Sequence, residues 1–249
     1  MSASSRRRDP NAAKPLGPIP AGFESIDGEL AIGGFKVSAL VEQAGDTPLF
    51  VYSRAMLDAR MAELRAAMPE RLAIHYAVKA NPHPQVIAHM AGLVDGFDLA
   101  SGGELAILQG VGIDGAHISF AGPGKRPREI RAAIEAGVTL NCESETEAAR
   151  ALEIGRGLGI QPKVAVRVNP DFDMRGSGMK MGGGAKQFGL DAERVPALIR
   201  HLIESGADWR GLHIYTGSQT LEADAVIETQ GQVLDLAARI AREVGRPCP

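Results

Sequence analysis

The sequence predicts an α/β fold built as a (β/α)8 barrel. From residue 48 onward, short apolar runs rich in β-branched side chains alternate with longer segments of helical period. Several helical segments open on a residue able to cap them. Nearly every strand runs into reactive or glycine-rich residues, the pattern of strands that deliver side chains to one shared mouth. Alternation by itself fits an open doubly wound sheet equally well, so the strand-end chemistry is what favours the barrel.

The expected strands are 48–52, 72–78, 96–99, 117–121, 138–141, 163–168 and 211–215. Helices are expected near 54–68, 84–92, 102–110, 127–136, 144–158, 192–205 and 221–245, with Ser53, Ser144 and Asp191 as their capping candidates. Residues 1–20 hold Ser, Arg, Pro and Ala with almost no large apolar side chains, so they are expected to be a disordered leader.

Composition excludes several classes. Of 249 residues, 45% are hydrophobic and 23% charged, with a formal charge of -3, as in an ordinary soluble protein. Aromatics at 4% are too sparse for a base-stacking surface, and the only basic run, Arg6-Arg7-Arg8, falls in the leader, so no nucleic-acid partner is expected. No stretch reaches the roughly 20 apolar residues of a membrane span. Cys142 and Cys248 make neither a metal spacing nor a disulfide framework, which fits a cytoplasmic protein without a bound metal.

Chemistry gathers at the strand ends. Lys79 lies in His75-Tyr76-Ala77-Val78-Lys79-Ala80-Asn81-Pro82, after an apolar strand. A lysine projecting into a barrel mouth is desolvated and able to form a Schiff base, whereas a surface lysine in a strand-to-helix turn is the plainer reading. Ser101-Gly102-Gly103-Glu104 follows the next strand, Gly122-Pro123-Gly124-Lys125 the one after, and Glu143 comes just past Asn141. Arg167 and Asn169 close the strand beginning at Lys163, and His213, Tyr215 and Gly217-Ser218 close the last. A Gly-Ser pair at a strand end can bring backbone N–H groups and a hydroxyl onto phosphate oxygens, or it can be an ordinary turn.

The run Tyr76-Ala77-Val78-Lys79-Ala80-Asn81 resembles the cofactor-lysine motif of the fold-type III, alanine-racemase-like decarboxylases that use pyridoxal 5'-phosphate. That group contains the ornithine, arginine and diaminopimelate enzymes. Asp98, Ser101-Gly102-Gly103-Glu104-Leu105, Gly122-Pro123-Gly124-Lys125, Asn141-Cys142-Glu143-Ser144, Arg167-Val168-Asn169-Pro170, Gly211-Leu212-His213 and Gly217-Ser218-Gln219 are similar to its later motifs, in family order from Pro48 to the end. The wording of 117–126 and 174–189 is most similar to a subgroup associated with exosortase and exopolysaccharide gene clusters.

The resemblance implies an amino-acid decarboxylase in which Lys79 forms the internal aldimine and Ser218 binds the cofactor phosphate. Asp98 and Arg167 would orient the lysine and the polar groups around the ring, or form a structural ion pair. Tyr215 stands where relatives place a ring-stacking histidine; a tyrosine can stack but is neutral near pH 7. His213, two residues back and on the same strand face, would take the polar role or be a satisfied interior histidine. A second departure is Gln187-Phe188-Gly189 where many relatives have Lys-Phe-Gly, and the glycine-rich run 176–184 before it is expected to be a mobile flap.

The family's triple-glycine phosphate loop, its Glu-Pro-Gly-Arg strand end and its carboxyl-terminal β-domain do not follow Ser218. The expectation is therefore an incomplete barrel of about six strands over 48–249, inactive alone, with 21–47 packing on the missing β-domain and the complete protein a homodimer. A racemase on the same fold and a non-enzymatic pyridoxal-phosphate carrier are the alternatives.

Overall fold

The computed structural model describes residues 23–172, 179–180, 187–218, 220 and 222–249. The leader expected over 1–20, most of the glycine-rich run 176–184, and Gln219 lie outside the described residues. The chain divides into two compact units, Met1–Glu70 and Arg71–Pro249.

In the first unit β1 (Glu24–Ile26), β2 (Glu29–Ile32) and β3 (Phe35–Lys36) form an antiparallel meander. Its turns are Asp27-Gly28 (φ 54° and 79°) and Gly33-Gly34 (φ 59° and 85°). Positive φ at both central residues is what a two-residue hairpin needs to match strand twist. Helix α1 (Val37–Ala44) follows directly, and α2 (Arg54–Ala67) starts where the Ser53 hydroxyl accepts the Met56 N–H. The strand expected over 48–52 does not form. Phe50 is 86% and Tyr52 53% exposed, and no backbone ladder joins this segment to another among the described residues. An apolar composition cannot make a strand without a partner to complete its hydrogen bonds.

The second unit repeats strand then helix: β4 (His75–Ala77), α3 (Pro84–Met90), β5 (Gly96–Leu99), α4 (Gly102–Val111), β6 (Ile118–Phe120), α5 (Pro127–Glu135), β7 (Thr139–Cys142), α6 (Glu145–Leu158) and β8 (Lys163–Asn169). The short β9 (Met179–Lys180) and β10 (Leu190–Asp191) precede α7 (Val195–Glu204), β11 (Asp208–Ile214), β12 (Gly217–Ser218) and α8 (Ala223–Val244). The long strands are all parallel, in the order β4, β5, β6, β7, β8, β11. Each crossover lays the next strand beside the last without reversal, which is barrel order and not that of a doubly wound sheet. β10 pairs with the end of β8, and β12 pairs antiparallel with β9.

Alternation along the strands sorts the sheet into two faces. Phe97 and Leu99 flank Asp98, Ile118 and Phe120 flank Ser119, and Leu140 and Cys142 flank Asn141. The flanking residues are buried with helix residues such as Leu105, Leu108, Ile130 and Leu152, and this is the core. Asp98, Ser119 and Asn141 occupy the other face. Ser101 and Ser144 cap α4 and α6, as their position before the helical period demands. Asp191 does not cap α7: it sits in β10, where its carboxylate accepts the Asn169 side-chain amide at 3.1 Å, and the helix starts only at Val195.

Candidate functional site

Because β4 to β8 and β11 are parallel, their carboxyl ends share one edge, and the sequence-predicted residues fall along it. Lys79 lies in a single 3-10 turn, Val78–Ala80, that continues β4. Val78 is fully buried and anchors that turn, while Lys79 is exposed. The desolvation expected of this lysine is therefore not supplied by the described residues.

The other strand-end lysine is spent. Lys125 Nζ is buried and donates to Gly122 O at 2.7 Å, Asn141 O at 2.8 Å and Glu147 Oε1 at 2.6 Å. Three acceptors match the three protons of an ammonium. Glu147 Oε2 accepts the Glu143 N–H at 2.8 Å, and Glu143 Oε1 accepts both the Gly122 N–H and Arg167 Nη1, the latter at 2.9 Å. Two cations and two carboxylates thus tie the ends of β6, β7 and β8 together. Glu143 Oε2 is buried with no hydrogen-bond partner among the described residues.

Arg167 is held in place by Glu143 and by Phe188, whose ring centre lies 4.8 Å from the guanidinium. It does not pair with Asp98. On β11, His213 stands in register with Arg167, and its Nδ1 is buried without a partner among the described residues. Burial, then the charges of Arg167, Lys125 and Lys79, push the imidazole down to about 4, so it is neutral at pH 7. Tyr215 follows the end of β11 and Ser218 lies in β12, and both are half-buried.

Asp98 is half-buried on the inward face. Burial raises its carboxyl, against a hydrogen bond from Ser119 and the charges of Lys79 and His75. Of the predicted set, the opposite charge that acts on it is therefore the lysine, not the arginine. A cavity of about 500 Å³ opens beside this edge between the loops after β5 and β6, with Phe188 on its wall.

These residues match a family. The model of the pyridoxal-dependent decarboxylase, pyridoxal binding domain, covers residues 54–249. The chain belongs to that family. The diaminopimelate decarboxylase of Aquifex aeolicus is 34% identical over 217 residues, 86% of this chain and 51% of the relative. An L-glutamyl-[BtrI acyl-carrier protein] decarboxylase of Niallia circulans is 31% identical over 219 residues, 86% of this chain and 50% of the relative. Among solved structures, the diaminopimelate decarboxylase of M. jannaschii in complex with L-lysine superposes with a TM-score of 0.78 at 28% identity, over 91% of this chain and 55% of that one. The chain spans about half the length of the curated relatives it matches.

The pyridoxal binding domain carries groups that fit pyridoxal phosphate. An exposed amine for the aldehyde, a Gly-Ser strand end and a buried histidine nitrogen without a partner lie on one edge. Among the described residues no group of three or more His, Cys, Asp or Glu could hold a metal ion, and no helix is long and apolar enough to cross a membrane. Cys142 is buried, and that burial pushes its thiol up to about 12.

Sequence reading missed Ser119, Glu147 and Glu129. Glu129 accepts the Gly102 N–H and the Arg126 N–H, both at 2.9 Å, and so ties the starts of α4 and α5. A carboxylate three residues past the start of a helix was a visible sign for Glu129. Glu147, three residues past Ser144, carried the same sign, but its pairing with Lys125 did not, and Ser119 carried none, since these partners are more than twenty residues away.

Proposed function

We propose that this chain is the cofactor-holding barrel part of a pyridoxal-phosphate-dependent amino-acid decarboxylase, and that Lys79 is the residue that holds the cofactor. One observation carries the assignment: of the two strand-end lysines, Lys125 has all its protons committed in a buried network, and Lys79 is exposed beside Asp98. Pyridoxal phosphate supplies the electron sink for the charge left when a carboxylate departs as carbon dioxide. Asp98 sets a carboxylate on the inward face beside Lys79. Ser218 offers its hydroxyl to the phosphate, and Arg167 a fixed positive charge. His213, neutral at pH 7, offers Nδ1 as a hydrogen-bonding atom, and Tyr215 an aromatic face.

The relatives' names support diaminopimelate or a similar amino acid as substrate. The proposal includes a cytoplasmic homodimer, and the wording of 117–126 supports the exosortase-associated subgroup. Residues 48–249 are proposed as the barrel part and 21–47 as a segment that packs on a β-domain.

Borohydride reduction of the full chain loaded with pyridoxal phosphate, followed by peptide mapping, is expected to fix a pyridoxyl group on Lys79. An adduct on another lysine would overturn the site. For the activity, carbon dioxide release from a panel of amino acids is expected. Exchange of the α-hydrogen with solvent deuterium without carbon dioxide release would assign a racemase instead.

A further inference from the structure

Asp98, Ser119 and Asn141 sit on neighbouring parallel strands and share the inward face. Asp98 of β5 is in register with Ser119 of β6, and the Asn141 side-chain nitrogen of β7 donates to Ser119 Oγ at 2.6 Å. Donor chemistry fixes the direction of these hydrogen bonds. An amide NH₂ can only donate, so the serine oxygen accepts; the hydroxyl keeps one proton, and the Asp98 carboxylate, in register on the neighbouring strand and held down by Ser119, is the acceptor placed to take it. We propose that Asn141 and Ser119 are positioning residues, which hold the Asp98 carboxylate in place beside Lys79 through a hydrogen-bond chain across three strands.

Burial is the largest influence on the Asp98 carboxyl and raises it. Burial and the Glu104 carboxylate oppose its charge, while Ser119, Lys79 and His75 favour it. Ser119 makes the largest of the favourable contributions, so removing its hydroxyl leaves the carboxyl to the effect of burial. Asn141 is buried, and its carbonyl oxygen is held by Lys125 at 2.8 Å, which fixes the backbone that aims the side chain. The hydrogen-bond chain therefore begins in the Lys125 and Glu147 network and ends at Asp98, on which the charge of Lys79 acts.

This inference rests on the reading of Lys79 as the cofactor lysine, and its test separates the two. The probe is the carboxyl-carbon NMR shift of Asp98 in the full chain as pH is varied, with the resonance assigned from Asp98→Asn. Ser119→Ala is expected to move the Asp98 midpoint to higher pH, and Ser119→Thr, which keeps the hydroxyl, to restore it. Asn141→Leu is expected to move the midpoint in the parent chain but to add nothing in the Ser119→Ala background, because it acts through the serine. A midpoint unmoved by Ser119→Ala, or moved equally by Ser119→Thr, would overturn the chain of hydrogen bonds. The serine pair decides the matter even if Asn141→Leu fails to fold. Peptide mapping after borohydride reduction reports independently on Lys79: label on another lysine with the Asp98 shifts intact overturns the cofactor assignment, and label on Lys79 with Asp98 unmoved overturns the hydrogen-bond chain alone.

Discussion

Lys125 Nζ lies 2.6 Å from Glu147 Oε1 with the two side chains only 1% and 7% exposed. Removing one partner of such a pair leaves a buried charge uncompensated. Lys125→Met and Glu147→Gln are each expected to lower unfolding free energy by about 3–5 kcal/mol in urea titrations. The double replacement Lys125→Met with Glu147→Leu should recover part of that loss. Full recovery is not expected, since the Glu143 N–H then loses its acceptor at a cost of about 1–3 kcal/mol. Additive single effects would show that the pair is not coupled.

His213 should make stability depend on pH. Its imidazole sits at about 4 in the folded chain against an ordinary 6.5, so below the ordinary value the unfolded chain binds a proton that the folded chain refuses. The contribution is whole above pH 6.5 and is lost as pH falls toward 4. Its size is at most about 3 kcal/mol. Urea unfolding at pH 7 and pH 5 should show a smaller acid loss in His213→Gln than in the parent chain. An identical loss in both would place the effect elsewhere.

Gly189 approaches the backbone of β8 more closely than a side chain permits. With φ at +75°, a Cβ there would lie 2.9 Å from Arg167 O and 3.1 Å from Arg167 Cγ. Gly189→Ala should therefore cost about 1–3 kcal/mol in strain and clash, and weaken pyridoxal phosphate binding by displacing Arg167. Gly206→Ala is the control, since φ is +86° but nothing lies within 4 Å. Thermal unfolding and cofactor titration of the two variants should separate strain from displacement: only Gly189→Ala should change cofactor affinity.

Tyr215 offers an aromatic face where the resemblance calls for a ring-stacking histidine. Tyr215→Phe is expected to keep pyridoxal phosphate affinity, and Tyr215→Ala to lose about 0.5–1.5 kcal/mol beyond the lost area. Equal affinity in all three proteins would show that the ring points away from the cofactor.

The sequence alone marked the order of the strand and helix units, the caps at Ser53 and Ser144, and the run of reactive residues along one edge. These are local properties: period, capping and turn chemistry are set within one or two turns of chain. It did not show the two hairpins of β1 to β3 as a meander, although Asp27-Gly28 and Gly33-Gly34 carry the turn signal. It also expected a strand over 48–52, because an apolar run reads the same whether or not a partner strand lies beside it.

Which strand-end lysine stays available depends on contacts made in the folded chain. Lys79 and Lys125 both follow the ends of their strands, and Lys125 is held by Glu147, which lies on a helix after the next strand. The same holds for the partner of Arg167, which is Glu143 and not Asp98, and for the link from Asn141 through Ser119 to Asp98. Each is set by register and burial between segments distant in sequence, and a carboxylate or hydroxyl acquires its role only when the fold has removed water and fixed the one neighbour it can reach.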